Sequence, residues 1–356
     1  MIEKYYSGVI EQIYNRIGKE TRNIVMANYS NDFSIENLEV IRRYQSNEDN
    51  VFFAYSEFSY NTLVGAYEPF LDIICNMHRR FIGGSFDDFQ KECGVYYLHR
   101  QVLNSYYETG ECFREETVLL NEVAYEQRRM TMAIADMLKK LSEVKPLMIV
   151  INRFQMASKS SIETIKYLID NPCANIGIVL GVNAIVKGTD STVEVWDRIV
   201  ESLEDRSAIY YIGSAGPLKN NVKTTNDDEL YITMNFEQSI QEASNIMEFL
   251  DFEQARRGCR IIEHKLKFED AWIDEKSLRR FYMVYARTSV LLGEMSKAIE
   301  LTNEYKALIP ENDSEHYLSL YYFMKGTCYM YQASLRRPET VQRVPMTMQF
   351  WQRMTH

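Results

Sequence analysis

Short apolar, β-branched runs alternate with helix-period segments through the first two thirds of the chain. Residues 23–27 (NIVMA), 51–55 (VFFAY), 147–151 (LMIVI), 176–181 (IGIVLG) and 208–212 (AIYYI) read as buried strands. Their apolar character is nearly continuous, as expected for strands covered by helices on both faces, so the sheet is predicted to be mostly parallel. Between them, Ile134, Met137, Leu138 and Leu141 fall on one helical face, as do Ile162, Ile165, Leu168 and Ile169. The opening MIEKYYSGVIEQIYNRIGKE is an amphipathic helix pattern with charges throughout. An α/β layer is the predicted class for this part.

From about Phe236 onward the pattern turns helical, rich in Tyr, Leu, Met and Ala. The best loop in the chain, residues 213–229, clusters Gly, Pro, Asn and Asp, and a short strand-like run at 230–234 follows it. Two domains are therefore expected, 1–235 and 236–356. In the second, Ala286, Gly293, Ala298 and Pro310 fall at the offsets of a tetratricopeptide unit. A second copy begins at Tyr322, with Gly326 in the place of Ala286 and Tyr329 three residues on; an earlier half-copy puts Ala255 where Ala298 stands. Small residues at these positions let paired helices approach, and Pro310 ends a helix because it cannot continue the hydrogen-bond ladder. A generic helical bundle is the alternative. Fewer than three full repeats are visible, and two prolines break the last stretch, so a fragment, a truncated product or a partner-completed subunit is also expected.

Composition narrows the classes. The chain has 356 residues, 46% hydrophobic and 25% charged, with 40 Lys plus Arg against 50 Asp plus Glu and a net charge of -10. That balance, without a block of basic residues, argues against a general nucleic-acid binder. The six cysteines, at 75, 93, 112, 173, 259 and 328, form no CxxC pair or Cys/His cluster. They read as free thiols in a reducing compartment, without metal. No signal-peptide core and no run of about 20 apolar residues is present, so a cytoplasmic protein is expected.

The stretch 145–183, KPLMIVINRFQMASKSSIETIKYLIDNPCANIGIVLGVN, resembles the Walker B region of the STAND-class, AAA-like ATPase modules found in large LuxR-type bacterial transcription regulators. In both, an apolar strand is followed by a polar run, a Ser-Ser pair, a helix and the next strand. AYEPFLDII, residues 66–74, is similar to the Tyr-Ala-Pro-Phe stretch of the same family. The resemblance spans roughly residues 20 to 235 and implies a P-loop-NTPase-like fold in transcriptional control or signalling. The helical tail is likewise what such regulators carry.

The sequence departs from the family where its chemistry would sit. A Walker A loop needs glycines to close backbone N–H groups on phosphates, a lysine for their charge and a hydroxyl for magnesium. At the matching place Asn28 and Phe33 replace the two glycines, Ser34 the lysine and Ile35 the hydroxyl, while Asp32 adds a negative charge. Walker B chemistry requires one carboxylate for the metal and a second for the attacking water; Asn152 and Arg153 stand there. Met156 and Ser158 replace the family's Trp and Asp. Each lost charge-assisted contact is worth about 1.5 to 3 kcal/mol. Loss of the lysine and the first acid alone weakens nucleotide binding by roughly two to four orders of magnitude.

The expected protein is therefore a non-catalytic regulator, a pseudo-ATPase domain joined to a helical array that binds a protein or small effector, without cofactor. Arg153 could enter a new ion pair, although a solvated arginine is the commoner case. DNA contact would come only through a partner or a missing C-terminal domain, and oligomers are possible. Two alternatives remain: an NTPase or other enzyme using non-standard residues in the same cleft, and a protein–protein scaffold. Other constellations are weaker. Cys93 and His99, with Asp87 and Asp88 nearby, have the residue types of a Cys–His nucleophile, but a six-residue spacing does not itself join thiol to imidazole. Glu115 and Glu116 diverge by about 100° on a helix, and His78, His264 and His316 are scattered.

Overall fold

The computed structural model describes residues 2–29, 38–46, 50–59, 63–112, 122–183, 193–213, 235–268, 273–310 and 314–335. The chain forms two compact units, Met1–Arg100 with Arg128–Tyr231, and Gln101–Gln127 with Ile232–His356.

The first unit is built on a five-stranded sheet in the order β2-β3-β4-β1-β5, with every pairing parallel. The strands are β1 (Ile24–Tyr29), β2 (Phe52–Glu57), β3 (Leu147–Asn152), β4 (Ile176–Asn183) and β5 (Ile209–Ile212). Each coincides with one of the five apolar runs, and β1, β2 and β4 extend two residues further into polar sequence. The helices are α1 (Ile2–Arg16), α2 (Glu39–Ser46), α3 (Phe70–Met77), α4 (Phe86–Glu92), α5 (Tyr97–Thr109), α6 (Val123–Val144), α7 (Lys159–Asp170) and α8 (Val193–Glu204), of which α5 and α6 cross the division between units. The apolar faces of α6 and α7 lie where their periodicity puts them: Ile134, Met137, Leu138, Leu141, Ile162 and Ile165 are fully buried.

Crossover direction sorts the helices onto two faces. The β1-to-β2 connection runs one way along the sheet, past β4 and β3, while the connections into β3, β4 and β5 run the other way. Right-handed crossovers then place α2 opposite the helices of the other three connections, and leave the face of α1, which precedes β1, to packing. Accordingly α1 and α2 share one core with alternate residues Val25, Ala27, Tyr29, Phe53, Met148, Val150 and Val179, whereas Met26, Ile149, Ile151, Ile178 and Leu180 point the other way and are equally buried. α1 packs directly on the β4 backbone because that strand presents Gly177 and Gly181 to it: a Cβ on Gly177 would lie 2.8 Å from Ile17.

The second unit is helical: α9 (Phe236–Glu248), α10 (Phe252–Phe268), α11 (Glu275–Leu291), α12 (Met295–Ala307) and α13 (Ser314–Leu335). Three-residue turns join α9 to α10 and α11 to α12, which makes each pair antiparallel. Gly293, with φ +79°, supplies the left-handed residue of the second turn. α9 packs on α10 and α11, and α11 packs on α10, α12 and α13. Ala255, Ala286 and Ala298 are all fully buried. Gly326 differs from the expectation. It is exposed, and nothing lies within 4 Å of a Cβ built on it, so its small size serves no helix contact among the described residues.

The unit also takes residues that the division at 235/236 had given to the α/β part. Asn245 accepts from the Cys112 N–H at 2.9 Å and donates to the Gly110 carbonyl at 3.0 Å, and Gln127 donates to the Leu250 carbonyl at 2.6 Å. The Tyr106 ring meets Phe249 edge-on. The run 230–234 and most of the loop 213–229 lie outside the described residues, as does everything after Leu335.

Among the described residues no helix is long and apolar enough to cross a membrane.

Candidate functional site

Because all five strands are parallel, their carboxyl ends lie along one edge. A ligand crevice opens there where neighbouring strands send their connections to opposite faces. That condition holds between β1, which leaves through α2, and β4, which leaves through α8. The tips of β1 and β3 flank β4, about 10 Å apart at the usual strand spacing. The site residues read from the sequence gather here as far as they are described: Asn28 at the tip of β1, and Asn152 and Arg153 at the tip of β3. Asp32, Phe33, Ser34 and Ile35 lie outside the described residues.

The interior of this edge is filled by the protein's own polar side chains. The Tyr29 hydroxyl donates to Asn152 Oδ1 at 2.6 Å, reaching from β1 to β3 across the intervening β4. The crossing is possible because β4 carries Gly181 at that point: a Cβ there would stand 2.7 Å from Asn152 Oδ1 and 2.3 Å from the hydroxyl of Tyr6 on α1. The Tyr6 ring also meets the Tyr29 ring edge-on, with centroids 6.4 Å apart. Tyr6, Tyr29 and Asn152 are fully buried. Burial, with Tyr29, Tyr55 and Glu57 nearby, pushes the Tyr6 phenol well above its ordinary pKa, so it remains a neutral hydroxyl.

On the β2 side, Arg153 forms an ion pair with Glu57 at 3.1 Å and donates to the Phe58 carbonyl at 3.4 Å. Its side chain is 19% exposed, so the expectation of a solvated arginine is corrected. The backbone of Arg153 is left-handed, φ +53°, which turns the chain from β3 into the short 3-10 turn Phe154–Met156. Glu57 also accepts from the Tyr55 hydroxyl. Its carboxylate is thus charge-balanced by a guanidinium and hydrogen-bonded by a phenol. The edge presents a neutral amide at the tip of β3, with the carboxylate beside it already held. Neither can neutralise a metal ion's charge as a free carboxylate does.

The two stretches that carried the family resemblance, 66–74 and the Ser-Ser pair, meet in space. The Tyr67 N–H donates to Ser160 Oγ at 3.0 Å, and Ser161 Oγ donates to the Glu68 carbonyl at 2.7 Å. Ser158 caps α7 and lies 3.0 Å and 2.9 Å from the two serine hydroxyls. Burial pushes the Glu68 carboxyl up, against the lowering effect of the Gly65 N–H that it accepts. Ser158, which replaces an acid in the resemblance, therefore works as a helix cap and a clamp.

The other candidates do not assemble. Cys93 sits at the end of α4, where burial pushes its thiol up to about 12, the opposite of an activated nucleophile. Asp87 is engaged by Arg100 and Lys91, and Asp88 by Lys91. All six cysteines are free. Among the described residues no group of three or more His, Cys, Asp or Glu could hold a metal ion; Glu115 and Glu116 lie outside them. The helical unit has an open groove of about 560 Å³ lined by Arg260, Glu263, Tyr285, Glu294, Met295 and Lys297. Its charges are largely paired, Lys297 with Glu263 at 3.0 Å and Glu294 with Arg256 at 2.6 Å.

Sequence reasoning missed Tyr6, Tyr29, Glu57 and Gly181. The last had a signal, since glycine inside an otherwise apolar strand marks a close approach of another group. No family model matches the chain, and no curated protein matches it.

Proposed function

We propose that the chain is a non-catalytic regulatory or signalling protein of the cytoplasm, in which a P-loop-NTPase-like α/β unit that no longer binds nucleotide is joined to tetratricopeptide-like helices. The observation that carries this reading is the tip of β3. The positions that would hold the metal and orient the attacking water are Asn152, engaged by Tyr29, and Arg153, paired with Glu57. The carboxyl ends of β1 and β3 share one edge of a parallel sheet, as a P-loop site requires, which supports descent from such a fold. The helical unit supports the second half: its two antiparallel pairs and its buried alanines suit a repeat array, and its groove offers a surface for a protein or small effector. Transcriptional control is the role that the resemblance to LuxR-type regulators favours. Isothermal titration of the full chain with Mg-ATP tests the reading. Heats no larger than dilution up to millimolar nucleotide are expected, and saturable micromolar binding would overturn it.

A further inference from the structure

The geometry points to an internal tie that has taken over the task of the ligand: the Tyr29–Asn152 hydrogen bond, passing over Gly181 and backed by Tyr6, fastens the tips of β1 and β3 in one arrangement whether or not nucleotide is present. The inference deepens the pseudo-ATPase reading and rests on it for the identity of the site, though not for the tie itself. In a working site of that kind, a metal–nucleotide complex bridges the loop after β1 and the acid on β3. Here a phenol from β1 already makes that connection.

Three features mark the tie as a built unit. First, β1 and β3 are not neighbours, so no backbone ladder joins them, and a side-chain link is what couples them directly. Second, the link needs a strand residue without a side chain between its ends, and β4 supplies Gly181. Third, Tyr6 closes the gap from the α1 side, with its hydroxyl directly over Gly181 and its ring against Tyr29. Every member is neutral, so the tie does not depend on salt and is not broken by acid. The neighbouring Arg153–Glu57 pair extends the connection to β2.

Amide hydrogen exchange, read by mass spectrometry on the full chain, tests this. Deleting one hydroxyl with Tyr29→Phe, or the acceptor with Asn152→Ala, is expected to speed exchange at the carboxyl-terminal amides of both β1 and β3 by about five- to tenfold, the range of one buried hydrogen bond. Amides near Ile24 and Leu147, at the other ends of the strands, should be unaffected. The double variant should be no faster than the faster single one; a product of the two single effects would overturn the tie. If Asn152→Ala does not fold, Tyr29→Phe decides alone, because it removes one oxygen and keeps the ring. Unchanged exchange at the tip of β3, two strands away, would then overturn the proposal. Saturable Mg-ATP binding would defeat the pseudo-ATPase reading while leaving this coupling intact. Loss of the coupling without ATP binding would do the reverse.

Discussion

The two units link their elements through polar groups of different kinds. At the carboxyl edge of the sheet, the Tyr29 hydroxyl and the Asn152 amide are buried, neutral and bonded to one another, with the charged pair Arg153–Glu57 at the margin. The helical unit also buries neutral polar groups, Asn245, Thr288 and Thr302 among them, but several links between its helices are charged and partly solvated: Lys297–Glu263, Arg256–Glu294 and Arg287–Glu248. A buried neutral bond is indifferent to salt and costly to leave unmade, whereas an exposed pair is worth little and is screened.

The contrast breaks most readily at the close contacts. Ala298→Leu forces a large side chain into a fully buried helix contact and should cost up to about 3 kcal/mol in chemical denaturation, with the loss confined to the helical transition. Gly181→Ala is the matching change in the sheet, where the new Cβ collides with Tyr6 and Asn152. It should cost about 1–3 kcal/mol in the other transition. If both substitutions shifted a single shared transition, the division into separately built units would fail.

A smaller effect sharpens the electrostatic half. Lys297→Met removes a pair whose members are each about a quarter exposed, and should cost about 0.5–1 kcal/mol at low salt and less at 1 M. The pH dependence follows from the two partners. Burial alone raises the Glu263 carboxyl, but the Lys297 and Lys267 ammonium groups overcome it and hold its pKa below 4.5. Its contribution is thus present above that value and fades as pH falls through the lowered one. Burial likewise lowers Lys297, and bonds to Glu300 and Glu263 reverse this and hold it above 10.5, so its contribution fades as pH rises through the raised value. Melting followed from pH 7 to pH 3 should show the helical unit losing more stability in the wild type than in Lys297→Met, where only Lys267 still lowers Glu263. Equal losses in both would remove the pair from the account.

The smallest effect tests the repeat. Gly326→Ala should leave stability unchanged or raise it by up to about 1 kcal/mol, since the site is exposed, helical and open. Destabilisation would mean that another helix lies against Gly326 after all.

These outcomes also mark what could be read from residue order. β1, β3 and β4 were readable because a strand covered on both faces leaves an uninterrupted apolar signature, the half-covered edge strands β2 and β5 because of their aromatic and β-branched residues, and the buried faces of α6 and α7 showed in their period. The polar ends of β1, β2 and β4 were not, since hydrophobicity stops before the ladder does; those ends hold Tyr29, Glu57 and Asn183. Asn152 and Arg153 were singled out only by the resemblance to the ATPase modules, and their partners Tyr29 and Glu57 come from strands 123 and 96 positions away. Such pairings depend on strand order, which local pattern does not encode. Gly326 misled for a related reason: a small residue at a repeat offset predicts a close contact only if a helix arrives to make it.

The central claim is that the carboxyl edge of the sheet is held by its own side chains and takes no nucleotide. The most direct test is the unfolding transition of the α/β unit, followed with and without millimolar Mg-ATP. A ligand present at a hundred times its dissociation constant would add about 2.7 kcal/mol to the stability of the state it binds. The account predicts no shift in the midpoint, and an upward shift of several degrees that grows with nucleotide concentration would contradict it.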